Sequence, residues 1–233
     1  MPDIRLDPAA FAFLDELVAN NRRAWFEPRR EEFHRLLIAP LTEVLEAASA
    51  QLADGPWPVS GGRRTVFRQL RDQRYAKAEP YATSVRALLT STGTKPAREG
   101  CVHVEIAPEG GFVGVGFHRP PAAMLAPIRR AMLDDPTGWR TIVDDLGEAG
   151  LPLADDRLRR MPVGFTNRSG HVLEPDLRLR SLEVSRPLPS DVWCEGAAVD
   201  AIVEVVRAGM PLLRFGNEAA GFARTDGDRR PRL

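Results

Sequence analysis

Cys101-Val102-His103-Val104-Glu105-Ile106-Ala107, Pro108-Glu109-Gly110-Gly111, Phe112-Val113-Gly114-Val115-Gly116-Phe117: this stretch decides the fold. Val102, Val104 and Ile106 alternate with His103 and Glu105, and Val113, Val115 and Phe117 alternate with Gly114 and Gly116. A period of two puts successive side chains on opposite faces of a strand, so both runs read as half-buried strands. The Pro-Glu-Gly-Gly link between them reads as a hairpin turn. The valines, Ile106 and Phe117 are expected to share one buried face. Pairing Ala107 with Phe112 sets Glu105 opposite Gly114, His103 opposite Gly116 and Cys101 opposite His118. The second face then carries Cys101, His103, Glu105 and His118.

Working outward, Ser84–Leu89 and Ser181–Ser185 read as further strands, and Val66–Leu70 as a short one. Upstream, Asp7 is placed to cap a helix whose first residue is Pro8 and which runs to about Asn20. A second helical stretch starts near Trp25, with Phe33, Leu37, Leu41, Val44, Leu45, Ala48 and Leu52 on one stripe and a kink expected at Pro40. Downstream, helices are expected over Pro121–Leu133, Thr137–Leu146, Pro175–Leu179 and Ala197–Asn217, with an irregular region at Leu151–Phe165. No βαβ rhythm is present. The pattern predicts one α+β domain over residues 1–222, an antiparallel sheet with a central hairpin, covered mainly on one face by N- and C-terminal helices. Residues 223–233, charged and bearing glycine and proline, read as a disordered tail.

The chain has 233 residues, 43% hydrophobic and 27% charged, which is ordinary for a globular protein able to bury a sizeable core. Its apolar runs fall short of a membrane span, and the acidic start, Met1–Asp7, lacks the basic-then-apolar order of a signal peptide. A cytoplasmic protein with no membrane partner is expected. A net charge of zero argues against nucleic acid as the main partner, because that binding is largely electrostatic. The two cysteines, Cys101 and Cys194, form neither a disulfide framework nor a metal motif and read as small buried hydrophobes. No structural metal is expected.

Charge is concentrated between Arg63 and Lys77. Arg63, Arg64, Arg68, Arg71, Arg74 and Lys77 stand against one acid, Asp72, and the only two tyrosines, Tyr75 and Tyr81, flank the end of this segment. Guanidinium forks suit carboxylate and phosphate, so an anion site is one reading and a solvated face with an Asp72–Arg ion pair the other. Of 32 basic residues only Lys77 and Lys95 are lysine. A compact charge whose pKa drops on burial makes Lys77 a candidate base, whereas Lys95 sits in what reads as an ordinary loop. On the hairpin, His103 and Glu105 are candidate acid and base groups, or simply residues of a half-exposed sheet face.

Asn20-Asn21-Arg22-Arg23-Ala24-Trp25-Phe26 with Ala39-Pro40-Leu41, and Arg71-Asp72-Gln73-Arg74-Tyr75-Ala76-Lys77 with Pro80-Tyr81, carry a resemblance. With the Val102–Phe117 hairpin, Arg160–Phe165 and Pro211-Leu212-Leu213-Arg214, this order of motifs resembles the bacterial and fungal domain-of-unknown-function family number 2461, over about residues 8–220. The resemblance implies a one-domain architecture and no reaction, and its motif falls on Arg71, Asp72, Arg74, Lys77, Pro80 and Tyr81. Ala76 stands where the family usually has Ser, and His118 where it often has an aromatic.

Taken together, the expectation is a protein for a small anionic ligand, with or without catalysis. Arg71, Arg74, Lys77 and Tyr81 would form the anion pocket, Asp72 would orient an arginine, and His103, Glu105 and Lys77 would be the catalytic candidates. No particular cofactor is implied. Two alternatives remain open: a nucleotide or nucleic-acid binder using the same basic segment, and a non-catalytic interaction module using Trp25, Phe26 and the second helical stretch.

Overall fold

A computed structural model of the chain describes residues 4–72, 79–95 and 98–222. The expected tail therefore lies outside the described residues.

Helix α1 spans Ala9–Ala19, and the Asp7 carboxylate accepts the Ala9 N–H at 2.9 Å, as a residue placed before Pro8 can. The second helical stretch is assembled from pieces: α2 (Arg23–Phe26), a 3-10 turn at Glu27–Arg29, α3 (Arg30–Phe33), a π turn at His34–Ile38, and α4 (Ala39–Leu52). Pro40 has no N–H to offer the carbonyl four residues back. The chain answers with the wider π turn just upstream rather than with a break.

Four strands, β1 (Val85–Leu89), β2 (Cys101–Ala107), β3 (Gly110–Phe117) and β4 (Leu182–Pro187), form an antiparallel meander in that order. Between β3 and β4 lie α5 (Ala122–Asp134), α6 (Pro136–Glu148) and the short α7 (Glu174–Leu177). After β4 come α8 (Ser190–Cys194) and the long α9 (Ala198–Ala219). The fold is α+β, with α9 packed on the sheet at β3 and β4 and against α4.

The hairpin's buried face is the expected one: Val102, Val104, Ile106, Val113, Val115 and Phe117 are all at most 3% exposed. Its register is tighter by two residues than expected. Ala107 pairs with Gly110, Glu105 with Phe112, His103 with Gly114 and Cys101 with Gly116. The turn is therefore Pro108-Glu109 alone, and both following glycines take positive φ, 128° at Gly110 and 144° at Gly111, conformations that L residues rarely adopt. A shift of two preserves the faces, which is why the burial pattern survived the error. His118 lies beyond the strand end instead of opposite Cys101.

The segment expected as a strand at Val66–Leu70 is not a regular one. It touches β1 through a Val66–Ala87 bridge, with the Phe67 N–H donating to the Arg86 carbonyl at 2.8 Å, and folds back through a Leu70–Tyr81 bridge. This irregular edge faces the helical stretch from α2 to α4, and the cavity between them is the main feature of that side of the molecule.

A candidate anion pocket at the sheet edge

Tyr81 is the pivot. It is 1% exposed, and its ring stacks on Phe26 with centroids 4.0 Å apart. Its hydroxyl donates to Glu27 Oε1 at 2.5 Å. The Asn21 side chain clamps its backbone in the manner of a strand neighbour. Asn21 Nδ2 donates to the Tyr81 carbonyl at 2.9 Å, while the Tyr81 N–H donates to Asn21 Oδ1 at 3.0 Å. Two motifs sixty residues apart in sequence are thus joined directly. Glu27 also accepts two bonds from Arg30, at 3.1 Å from Nε and 2.6 Å from the terminal nitrogen. The Tyr81 hydroxyl and then Arg30 hold the Glu27 carboxyl below its ordinary range. Burial, and then the bond to Glu27, push the Tyr81 phenol up to about 12, so it stays a neutral donor.

Beside this triad lies a cavity of about 300 Å³. One wall is a helical stripe, Phe26, Arg30, the adjacent pair Phe33 and His34, and Ile38, with steps of three or four residues that keep them on one side of the helical stretch. The other wall is the irregular edge, including Arg63, Phe67 and Arg68, and Lys95 reaches in from the loop after β1. Among the described residues the lining holds four full cations, Arg30, Arg63, Arg68 and Lys95, and no carboxylate. Arg30 is committed to Glu27. Neither Arg63 nor Arg68 has an ion-pair partner among the described residues.

Lys95 is no ordinary loop residue. Its Nζ donates to the Val66 carbonyl at 2.5 Å and stands 4.6 Å from the centre of the Phe67 ring. Burial and then Arg63 draw its pKa down. His34 is drawn down in the same way, by burial first and then by Arg63 and Arg30. Both shifts have the sign expected where positive charge gathers without a counter-ion.

The residues expected to form the site are distributed differently. Tyr81 lines the cavity. Arg71 pairs with Glu79 at 2.9 Å, which competes for its guanidinium. Asp72 is not without a partner, and Arg74 and Lys77 lie outside the described residues. The expected convergence of guanidinium groups along Arg71–Tyr81 falls largely on that stretch. His103 and Glu105 project from the sheet face opposite the buried valines, and neither lines this cavity. His103 meets the Phe112 ring edge-on with centroids 5.3 Å apart. Burial, then Arg86 and His118, depress its pKa to about 4, so it is neutral at pH 7.

The two cysteines are half-buried rather than buried. Burial, and then Glu99 and Glu183, raise the Cys101 thiol to about 11, which keeps it protonated and a poor nucleophile. No group of three His, Cys, Asp or Glu among the described residues is placed to hold a metal ion. No described helix is long and apolar enough to cross a membrane.

Reading the sequence alone missed Asn21, Glu27, Arg30, His34 and Lys95 in this region, and it put Arg63 and Arg68 in the basic segment without choosing them for the pocket. The periodic run Phe26, Arg30, Phe33, His34 was visible, but a stripe of mixed charge and aromatics also describes a solvated helix edge.

Fold and site together define an α+β protein with a four-stranded meander and a cationic cavity at its edge. The chain belongs to the conserved hypothetical protein family DUF2461, whose model matches residues 9–215. No curated protein and no solved structure matches it.

Proposed function

We propose that this protein binds a small anionic ligand, a phosphate or carboxylate, in the cavity between the α2–α4 stretch and the Arg63–Leu70 edge. One observation carries the reading: the exposed Arg63 and Arg68 line this cavity together with the half-buried Lys95, and its lining offers, among the described residues, no carboxylate to neutralise them. Like charges lining one cavity repel one another, a repulsion that solvent screens at the exposed arginines, and an anion bound among them relieves it. Arg63 and Arg68 would take the anion through their planar forks, Lys95 would add a point charge, and His34 would be the group able to exchange a proton with it. Tyr81 and Glu27 would position Arg30 rather than touch the ligand, since their polar atoms are bonded to each other and to Arg30.

The test is thermal stability in a phosphate titration at fixed ionic strength. Binding to the native state raises the midpoint with a saturating curve, whereas general salting-out does not saturate. Arg63→Ala and Arg68→Ala should each remove most of the saturating component. Equal stabilisation of the parent and both variants would leave the cavity as surface charge.

A further inference from the structure

We infer that the ligand is an amphiphilic anion, an anionic head joined to an apolar alkyl or aryl body, rather than a free inorganic or fully polar anion. The inference rests on the anion reading of the cavity and extends it to the ground outside. A second, larger space of about 980 Å³ lies over the end of the sheet's open face, beside the cavity of about 300 Å³. Phe67, Arg68 and Lys95 line both, so the two spaces meet at these residues.

The chemistry changes across that junction. The inner cavity is ringed with cations. The outer groove presents Pro120, Pro121 and Met124, with Leu88 largely buried behind them, and most of its charged groups are already engaged. Arg119 holds Asp156 at 3.0 Å, His118 holds Glu183 at 2.8 Å, and Glu99 accepts the Ser91 N–H at 3.0 Å. Satisfied charges around apolar side chains make a floor that rewards burial of carbon, not of a further polar group. Arg98 adds positive charge to the same groove, which disfavours a cationic body.

Phe67 sits at the junction and is 38% exposed, the one aromatic among the exposed large hydrophobic residues described. A free polar anion would leave that ring in water. A ligand whose head reaches Arg63 and Arg68 and whose body passes over Phe67 toward Met124 covers it. Ligand sites commonly combine such a largely apolar surface with a few convergent polar groups.

The test compares inorganic phosphate, phenyl phosphate and hexyl phosphate, all below any micelle concentration, by calorimetric titration of the full chain at fixed ionic strength. The expected result is that phenyl or hexyl phosphate binds roughly tenfold or more tightly than inorganic phosphate, since each buried methylene adds stabilisation. Phe67→Ala and Met124→Gln should each bring that ratio toward one. Met124 is only partly buried, so its variant serves if Phe67→Ala fails to fold. Saturable phosphate binding with no gain from either body would overturn the inference and leave the anion reading standing. A gain that persists unchanged in both variants would also overturn it, because the body would then lie elsewhere. Absence of saturable binding by all three compounds would instead sink the anion reading itself.

Discussion

His103 stands at the centre of the open sheet face, and its environment makes a pH prediction with a definite sign. Arg86 approaches from β1 and His118 from beyond β3, with Glu105 beside it on β2 and Phe112 across the pair. Burial and the two basic neighbours lower its pKa from 6.5 to about 4 in the folded protein. An unfolded chain takes up a proton on this imidazole as pH falls below about 6.5, while the folded chain resists until about 4. Across that window the unfolded state binds more protons, so His103 makes stability fall as pH falls. In His103→Gln, which cannot titrate, urea midpoints measured at pH 7 and pH 4.5 should differ less than in the parent. An identical difference in both proteins would show that the imidazole is solvated normally. The same neutrality removes His103 as a general acid near pH 7, leaving His34 as the histidine facing the cationic cavity.

At the scale of elements, α9 lies close to the sheet because two of its residues have no side chain. A methyl group at Gly209 would stand 2.9 Å from Val115 Cβ, and one at Gly216 would meet the Phe117 ring. That ring is also pressed from the strand side, where a Cβ on Gly100 would lie 2.5 Å from its Cζ. Phe117 is 3% exposed and wedged between two glycines, so it has little room to yield. In Gly216→Ala the intrinsic helix gain of about 1 kcal/mol is opposed by overpacking of about 1–3 kcal/mol. Net destabilisation is expected in denaturant unfolding. Gly147, in α6, is the control: a Cβ there meets nothing within 4 Å. Gly147→Ala should be neutral or stabilising, by up to about 1 kcal/mol. If Gly216→Ala matched it, the close approach of α9 would have no energetic consequence.

For the whole molecule, one contiguous core cluster runs from Ile4 to Leu213 and includes the N-terminal helices, the sheet and α9. The four tryptophans sample it widely. Trp25 is in α2, Trp57 follows α4, Trp139 is in α6 and Trp193 in α8, all at most 9% exposed. Because no layer holds a core of its own, tryptophan fluorescence and far-ultraviolet circular dichroism should report one coincident urea transition. Separated transitions would mean that the α1–α4 layer, with the cavity wall it carries, unfolds independently of the sheet.

The faces of β2 and β3 were legible in the sequence because alternation is a local property: the same side chains point inward whatever the partner strand does. The helix expected over Ala197–Asn217 was legible through a similarly local periodicity, and the Val199, Ile202, Val203, Val206 and Met210 that recur along it at helical spacing are buried. Register was less so, since the length of the hairpin turn depends on where Gly110 and Gly111 take positive φ, and the letters do not announce it. The edge at Val66–Leu70 was read as a strand because its composition suits one, yet its partners are single bridges to β1 and to Tyr81, decided by neighbours outside the segment. Of the candidate site, the order of residues shows that arginines cluster after Arg63 and that Tyr81 closes that region. Packing alone brings Arg30 and His34 from one layer, Arg63 and Arg68 from another and Lys95 from a distant loop into the lining of one cavity. Charge density can be read along a chain, but convergence is a property of distances in space, and those are set by how helices and sheet pack.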